Sequence, residues 1–244
     1  MKILFTGGKG LVGSNIIPIL KDNFEIAVYD IDEWDITNIE TGRHFIKEQK
    51  PDFLVNLAAM TDVDACEDAT ESALKINGDG PGILAEVCEE YDVFFVQLST
   101  DYVFDGKKQT PYSEEDAPNP QSVYGKSKLA GEQKSLANRP SSLIIRSQWI
   151  YGDGGENFIT KVVKIAREKG SVSVVNDQRG SPTYAKDIAL PLKILLENKK
   201  SGIYHISNSN SCTWFDFARE IFRLSDMDVK VEPITSDILG RKAK

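Results

Sequence analysis

The chain has 244 residues, of which 41% are hydrophobic, 27% charged and 9% aromatic. This balance is typical of a water-soluble globular protein and excludes disordered, collagen-like and membrane-embedded classes. Acidic residues outnumber basic ones by 37 to 29, which gives a net charge of -8. Because the sequence has no long basic run, we expect no nucleic-acid partner.

The three cysteines, Cys66, Cys88 and Cys212, are far apart in the sequence. Neither a disulfide framework nor a thiolate metal site is predicted. His44 and His205 have no partners at metal-ligand spacing, so we predict no metal site in the chain itself.

No apolar stretch approaches the roughly 20 residues of a membrane helix, and none resembles a signal peptide. We expect a cytoplasmic protein with no membrane partner.

The first part of the chain alternates short apolar runs with longer segments of helical period. This alternation is typical of βαβ units. Strands are predicted at 2–6, 25–29, 53–57, 93–98 and 142–147, and helices at about 11–21, 39–49, 70–91 and 123–137. The expected fold class is α/β, a Rossmann-type doubly wound parallel sheet. The polar segment 106–120 contains three prolines and predicts a surface flap.

Beyond Arg146 the predicted elements become shorter. Helices are expected near 158–168, 185–196 and 214–224, strands at 172–175 and 203–206, and a polar loop at 176–183. We expect this part to form a smaller substrate-binding lobe at the carboxyl edge of the sheet, where open α/β sheets bind ligands. The predicted division is residues 1–150 for the sheet domain and 151–244 for the smaller lobe, with the two interleaved.

A glycine motif, Gly7-x-x-Gly10-x-x-Gly13, follows the first strand and opens the first helix. Glycine lets a pyrophosphate approach the backbone, and the helix N-terminus attracts the anion. Asp30 ends the second strand, where a carboxylate accepts hydrogen bonds from the adenosine ribose. The pattern predicts a dinucleotide, although a ligand-free tight turn is the plainer alternative. The Asp30 charge would repel a 2′-phosphate and therefore favours NAD over NADP.

Tyr124 and Lys128 are four residues apart on a predicted helix, so both side chains share one face. An adjacent ammonium would lower the pKa of the phenol and make it an effective acid. Thr100 ends the fourth strand, where a hydroxyl could hold a substrate carbonyl. The simpler alternatives are a half-buried aromatic ring beside a surface lysine, and a hydroxyl that caps a strand end.

Longer motifs carry a family resemblance. Asn56-Leu57-Ala58-Ala59, Ser99-Thr100-Asp101 and Tyr124-x-x-x-Lys128 resemble those of extended short-chain dehydrogenases/reductases. Tyr124-Gly125-x-x-Lys128-x-x-Gly131-Glu132, Arg146-x-x-Trp149-x-Tyr151-Gly152 and Asn176-Asp177-Gln178-x-Gly180-x-Pro182-Thr183 are similar to motifs of the dTDP-4-dehydrorhamnose reductase family. The resemblance implies reduction of the 4-keto group of a nucleotide-linked deoxysugar by NADH or NADPH, most simply dTDP-4-dehydrorhamnose to dTDP-L-rhamnose.

The resemblance also implies roles for individual residues. Tyr124 would be the proton donor, Lys128 would bind the nicotinamide ribose and tune Tyr124, and Thr100 would assist at the carbonyl. The implied cofactor contacts are Gly7, Gly10, Leu11, Val12 and Gly13 at the pyrophosphate, Asp30 at the ribose, Asp35 and Ile36 at the adenine, and Ala58, Ala59, Met60 and Thr61 at the middle of the cofactor. Thr100, Asp101 and Trp149 would contact the sugar nucleotide, although Trp149 could instead be a core residue.

Two departures from the family pattern leave alternatives open. Met60 stands where the family usually has an aromatic residue or histidine, and from the end at residues 241–244 we expect an incomplete C-terminal segment. The family includes regulatory subunits of methionine adenosyltransferase, so a non-catalytic, cofactor-binding subunit is the alternative, beside another nucleotide-sugar epimerase or reductase. Thr100, Tyr124 and Lys128 together favour an enzyme.

The acidic run Glu114-Glu115-Asp116 lies within the predicted flap. It is most simply a solvated loop. Carboxylates of this kind could also bridge Mg²⁺ at a subunit contact, and a homodimer would supply such a contact.

Overall fold

The computed structural model describes residues 1–243. Its strands are β1 (Lys2–Thr6), β2 (Glu25–Tyr29), β3 (Phe53–Asn56), β4 (Phe94–Thr100), β5 (Leu143–Ser147), β6 (Ile150–Tyr151), β7 (Ser171–Val175), β8 (Arg179–Gly180), β9 (Thr183–Tyr184), β10 (Gly202–His205), β11 (Cys212–Thr213) and β12 (Lys230–Ile234). Six of them form one parallel sheet in the order β2-β1-β3-β4-β5-β10. The chain runs outward from β1 to β2 and then returns to the other side of β1 for β3. This reversal opens a crevice at the carboxyl ends of β1 and β3.

The helices connect and cover these strands. They are α1 (Leu11–Leu20), α2 (Ile39–Gln49), α3 (Val63–Asp68), α4 (Thr70–Ala73), α5 (Gly80–Glu90), α6 (Val123–Asn138), α7 (Phe158–Lys169), α8 (Ala189–Glu197), α9 (Trp214–Leu224) and α10 (Ser236–Leu239). None of the helices within residues 1–243 combines the length and the apolar character needed to cross a membrane.

Two apolar layers cover the faces of the six-stranded sheet. Ile3 and Phe5 belong to the layer under α1 and α8, whereas Leu4 and Leu54 belong to the layer under α2 and α5. Neighbouring residues of one strand point to opposite faces, so a strand covered on both faces must be apolar at nearly every position. The predicted doubly wound α/β class is confirmed.

Elements from both sides of residue 150 contribute to the main sheet. The predicted strand near 203–206 is β10, and it pairs with β5 at the edge of the main sheet rather than within the smaller lobe. The preceding helix, α8, covers the same sheet through Leu192 and Leu196. Pairing with β10 satisfies the backbone groups that β5 would otherwise expose at the sheet edge.

The smaller lobe has its own core between α7, α9 and the β7–β12 pair, with buried residues that include Val162, Val172, Ala218 and Phe222. The sequence did not predict β12, because its Lys-Val-Glu-Pro-Ile run is polar and contains Pro233. Parallel pairing with β7 creates this strand. The loop expected at 176–183 contains the two-residue strands β8 and β9.

One long helix was predicted at 70–91, but the structure contains α4, a π-helical turn at Leu74–Asp79, and α5 in succession. The short helix α3 was not predicted. π-helical turns are rare and are often found at functional sites. Here the turn contains Asn77, which is buried beside the crevice.

Candidate active site

The glycine loop joins β1 to α1 at the crevice. Gly7 has a φ of +67°, and a Cβ at this position would lie 2.5 Å from the backbone nitrogen of Ala58. A Cβ at Gly13 would collide with Gly8. Gly10 differs, because its φ is -72° and the nearest atom to a Cβ would be the Gly7 oxygen at 3.3 Å. Gly7 and Gly13 are therefore required by the fold, whereas a Cβ at Gly10 would make one tight contact.

The N-terminus of α1 has no side-chain cap and no acidic residue in its first turn. Its first N–H groups have no partners within the helix and carry a partial positive charge. Leu11 and Val12 form this first turn. The loop and helix end therefore fit the pyrophosphate of a dinucleotide.

A polar ladder crosses the sheet beneath the crevice. Thr6 Oγ1 donates to Asn56 Oδ1 at 2.6 Å, and Asn56 Nδ2 donates to Gln97 Oε1 at 2.7 Å. Asn56 Oδ1 also accepts from the backbone N–H of Ala58 at 3.1 Å. All three ladder side chains are buried. The ladder therefore fixes the start of the loop that follows β3.

Asn77 fixes the rest of this loop. Its Oδ1 accepts from Met60 N at 2.8 Å, and its Nδ2 donates to Met60 O at 3.0 Å and to Ser127 Oγ at 3.0 Å. Ala59, Met60 and Thr61 remain at least partly accessible. Sequence reasoning missed Asn77, since only the π-helical turn brings its amide to the loop.

Asp30 lies at the end of β2, beside the glycine loop. Its Oδ2 accepts from the backbone N–H of Lys9 at 3.2 Å, and its Oδ1 accepts from Ile31 N at 2.9 Å. Lys9 Nζ pairs with Glu33 at 2.9 Å, and the hydrogen bond from Lys9 holds the pKa of Glu33 below its usual range. This end of the crevice thus brings the carboxylates of Asp30 and Glu33 close to the ammonium of Lys9.

Asp35 and Ile36 have different surroundings. Asp35 Oδ1 accepts from the backbone and side chain of Thr37, and the backbone bond lowers the pKa of the carboxyl. Ile36 is buried in the core with Trp34, and a Cβ at Gly80 would collide with it. The Ile36 side chain therefore packs in the core, and the place of Ile36 at the adenine stays a prediction.

Thr100 and Asp101 lie where β4 ends. Thr100 Oγ1 donates to Asp101 Oδ1 at 3.0 Å and accepts from Tyr102 N at 3.3 Å. Burial raises the pKa of Asp101 to about 6, although hydrogen bonds from Thr100 and from backbone N–H groups oppose the change. The carboxyl group is therefore held in a site of low polarity next to the Thr100 hydroxyl.

Tyr124 begins the first turn of α6, which Ser122 caps by accepting from Gly125 N at 3.1 Å. Its ring lies edge-on to Tyr102, with ring centroids 5.4 Å apart. Burial raises the pKa of Tyr124 above its usual value, and a hydrogen bond with Thr100 opposes this rise. Thr100 and Tyr124 are therefore brought together, as the sequence predicted.

Lys128 lies one turn further along α6, with 5% of its surface exposed. Its Nζ donates to the backbone oxygen of Leu98 at 2.7 Å. Burial lowers the pKa of Lys128 to about 8. In this structure the ammonium is bonded to β4 and burial of the phenol raises the Tyr124 pKa, so the tuning of Tyr124 by Lys128 stays a prediction.

Trp149 follows β5 and has a φ of +47°. It stacks on Trp214, with ring centroids 3.5 Å apart and planes at 12°. It also lies against Gly180, where a Cβ would collide with the indole. The side chain is only partly buried. Trp149 therefore packs in the smaller lobe and still presents some surface.

Two further features were not predicted. Glu132 and Arg146 form a buried ion pair below Lys128, with Arg146 Nη2 2.6 Å from Glu132 Oε2. Ser147 pairs in register with Thr100, and its buried hydroxyl has no hydrogen-bond partner within residues 1–243. The four-residue spacing from Lys128 to Glu132 was a signal that could have drawn attention to the ion pair.

The described part of the chain has no group of three or more His, Cys, Asp or Glu residues arranged to hold a metal ion. Within the flap, Glu114 Oε1 accepts from His205 N at 2.9 Å and Asp116 pairs with Lys108 at 2.5 Å. Two of the three acidic side chains at 114–116 therefore bind their own chain.

Comparison with known proteins identifies the fold and the family. Residues 1–244 match the family described as RmlD substrate binding domain. The chain is 39% identical over 242 residues to the spore coat polysaccharide biosynthesis protein SpsK of Bacillus subtilis, with coverage of 99% of this chain and 85% of that protein.

Two solved structures are closely similar. A dTDP-4-dehydrorhamnose reductase from Clostridium acetobutylicum has a TM-score of 0.97 and 42% identity, with coverage of 100% of this chain and 87% of the other. The Bacillus anthracis dTDP-4-dehydrorhamnose reductase, in complex with NADP, also has a TM-score of 0.97, with 35% identity and the same coverage. The chain belongs to the RmlD family, the family of these dTDP-4-dehydrorhamnose reductases.

Proposed function

We propose that this protein is an NAD(P)H-dependent reductase of the 4-keto group of a nucleotide-linked deoxysugar, with dTDP-4-dehydrorhamnose as substrate and dTDP-L-rhamnose as product. The observation that carries the proposal is the convergence of Thr100, Tyr124 and Lys128 at the carboxyl end of β4, beside a glycine loop that leads into an uncapped helix N-terminus. The names of the closely similar solved structures support the same activity.

The residues fit a dinucleotide across the crevice. Gly7, Gly10 and Gly13 shape the loop, and the free N–H groups at Leu11 and Val12 suit the pyrophosphate. Asp30 would accept from the ribose hydroxyls. We assign Asp35 and Ile36 to the adenine end, and the loop Ala58, Ala59, Met60 and Thr61 to the middle of the cofactor. When bound, the cofactor supplies a hydride to the carbonyl carbon.

Tyr124 supplies the proton. Because burial raises the pKa of its phenol, Tyr124 is protonated at neutral pH and can donate to the carbonyl oxygen as negative charge develops there. Thr100 is close enough to Tyr124 to hold the same oxygen. Lys128 is placed to bind the nicotinamide ribose and to attract charge that develops on the tyrosine oxygen.

Substrate binding is assigned to Thr100, Asp101 and Trp149. The Asp101 carboxylate accepts a hydrogen bond from Thr100 and can accept another from a sugar hydroxyl. The partly exposed indole of Trp149, held by Trp214, offers a flat apolar surface to the sugar nucleotide. These two residues approach from different lobes, so the substrate would lie between them.

The choice between NADH and NADPH depends on Asp30 and Lys9. Asp30 favours NADH by repelling a 2′-phosphate. Lys9 could attract that phosphate, but it is paired with Glu33. We therefore propose NADH as the slightly preferred cofactor, while the Bacillus anthracis structure contains NADP.

Three further predictions concern the cellular location, the oligomeric state and a metal ion. A cytoplasmic location is proposed from the thin cysteine usage. A homodimer is proposed, with magnesium at a contact near Glu115, the flap carboxylate for which no bond to its own chain is described. Light scattering with magnesium and then with a chelator tests both the dimer and the metal.

The activity is tested by following NADH and NADPH oxidation with a panel of nucleotide-linked 4-keto sugars. We expect turnover with dTDP-4-dehydrorhamnose and formation of dTDP-L-rhamnose. The alternative, a regulatory subunit of the methionine adenosyltransferase type, predicts dinucleotide binding without turnover of any sugar in the panel. That result would replace the reductase with the regulatory subunit.

A further inference from the structure

The buried ion pair beneath the active site has unusually complete geometry. Arg146 Nε donates to Glu132 Oε1 at 2.9 Å and Arg146 Nη2 donates to Oε2 at 2.6 Å. Ser99 Oγ donates to Glu132 Oε1 at 2.5 Å. Glu132 is 2% exposed and Arg146 is 4% exposed. Both charges are therefore removed from water and held in one arrangement.

Stability alone is a weak reason for such a pair. Removing two charges from water costs several kcal/mol per ion, and buried ion pairs can often be replaced by apolar residues without loss of stability. Arg146 also keeps a buried Nη1 for which the described residues provide no hydrogen-bond partner. The Glu132–Arg146 ion pair therefore indicates a role other than packing.

The position of the pair suggests that role. Tyr124, Lys128 and Glu132 are spaced by four residues and form one stripe of α6. Lys128 Nζ binds the backbone oxygen of Leu98, and Glu132 binds the side chain of Ser99, the next residue of β4. Glu132 thus anchors the helix to the strand one turn below the lysine.

The charge of Glu132 also acts on Lys128. Burial lowers the pKa of Lys128 to about 8, and attraction by the Glu132 carboxylate opposes this change. Other ionisable groups on the surrounding elements are Tyr124 on α6, Asp101 and Tyr102 beyond β4, Cys66 and Glu67 on α3, and Arg146 on β5. Of these groups, Glu132 lies one turn from Lys128 on the same helix, and its negative charge opposes the lowering of the Lys128 pKa.

We propose that Glu132, fixed by Arg146 and Ser99, is a positioning residue that keeps the Lys128 ammonium charged and in place beneath the reacting groups. The proposal rests on the proposed function of Lys128. A step that needs the ammonium proceeds below the Lys128 pKa and is lost as the pH rises through it. Removing Glu132 moves that loss to lower pH.

The test uses the double variant Glu132→Gln/Arg146→Met, which removes both charges and keeps similar side-chain volumes. We expect kcat to fall roughly fivefold at about pH 8 and to change little at about pH 6. The reason is that the alkaline limb of the pH profile, where kcat falls as the pH rises, moves to lower pH. Glu132→Gln alone should move the limb in the same direction. A merely structural pair predicts an equal fall at every pH, or a wild-type profile in the folded double variant, and either result overturns the proposal.

A second measurement does not need turnover. Lysine side-chain ¹⁵N resonances can be titrated by NMR, with the Lys128 signal assigned from Lys128→Met. We expect Lys128 to titrate near pH 8 in the wild type and at lower pH in the double variant. An unchanged titration in the folded double variant contradicts the proposal. A lowered titration in a protein that reduces no sugar leaves this inference standing and rejects the reductase activity instead.

Glu89→Gln is the matched control. Glu89 pairs with Arg139 at 2.6 Å, and the Arg139 side chain is 8% exposed at the far end of the same helix. Arg139 lies eleven positions from Lys128, about 16 Å along a helix. The control therefore disrupts an ion pair between α5 and the C-terminal end of α6, in which the Glu89 side chain is 56% exposed, and should leave both the Lys128 titration and the alkaline limb unchanged.

Discussion

In the sheet domain, the proposed functional side chains lie where strands end. In the smaller lobe, Trp149 is held by contacts with residues that are distant from it in the sequence. Thr100 lies at the end of β4, and a ladder from Thr6 to Gln97 braces the strands beneath the crevice. Trp149 instead depends on Trp214 and Gly180 for its place. The sheet thus holds the proposed catalytic residues through its strand ends, while the smaller lobe holds Trp149 through side-chain packing.

This difference predicts that substitutions in the two regions affect different kinetic constants. Residues of the sheet domain should change cofactor affinity or kcat. Residues of the smaller lobe should change mainly the KM for the sugar nucleotide.

The largest effect is expected from Tyr124→Phe. The ring keeps its packing but loses the proton donor, so kcat should fall by about 10²–10⁴ while cofactor affinity stays nearly constant. Stopped-flow and steady-state NADH oxidation measure this fall. Tyr102→Phe, on the ring that packs edge-on to Tyr124, is the control and should retain most activity. Equal losses in both variants would argue against Tyr124 as the acid.

Gly10→Val should weaken cofactor binding by about hundredfold, or nearly 3 kcal/mol, because a side chain occupies the approach of the pyrophosphate. The fold should survive, since φ is negative and a Cβ makes a single tight contact, 3.3 Å from the Gly7 oxygen, which a small shift of the loop relieves. Calorimetry gives the affinity and circular dichroism gives the fold. Gly13→Val should instead unfold the protein. Unchanged affinity in folded Gly10→Val would remove the cofactor from this loop.

Asp30→Ala should weaken NADH binding by about tenfold, because hydrogen bonds from the ribose to a charged group are lost. NADPH should lose less, since repulsion of its 2′-phosphate is also relieved. The ratio of the two dissociation constants, measured by fluorescence titration, reports the change. Asp32→Ala removes a nearby exposed carboxylate as the control. A ratio unchanged by Asp30→Ala would assign the preference to Lys9 and Glu33.

The smallest effect is expected in the smaller lobe. Trp149→Ala should raise the KM for the sugar nucleotide about fivefold, consistent with one lost aromatic contact of about 1 kcal/mol, and should leave the cofactor dissociation constant unchanged. Trp214→Ala breaks the same stack without removing the proposed contact. If both variants raise KM equally, Trp149 acts only through packing, and the smaller lobe has no direct contact at this position.

Sequence reasoning succeeded where the signal was local. The glycine motif, the acid after β2 and the four-residue spacing of Tyr124 and Lys128 are all short-range patterns, and the structure places them along one crevice. It missed Asn77, whose amide reaches the loop through a π-helical turn.

The sequence by itself determined the α/β alternation, the glycine loop and the shared face of Tyr124 and Lys128, because hydrophobic period and glycine conformation act over a few residues. Only the tertiary structure decided that β10 completes the main sheet, that β12 exists, and that Glu132 meets Arg146 and Ser99. Each of these depends on segments far apart in the chain, whose pairing is favourable only after the intervening elements have packed. The electrostatics of Lys128 follow from that packing, since burial and a carboxylate one turn away act on its charge together.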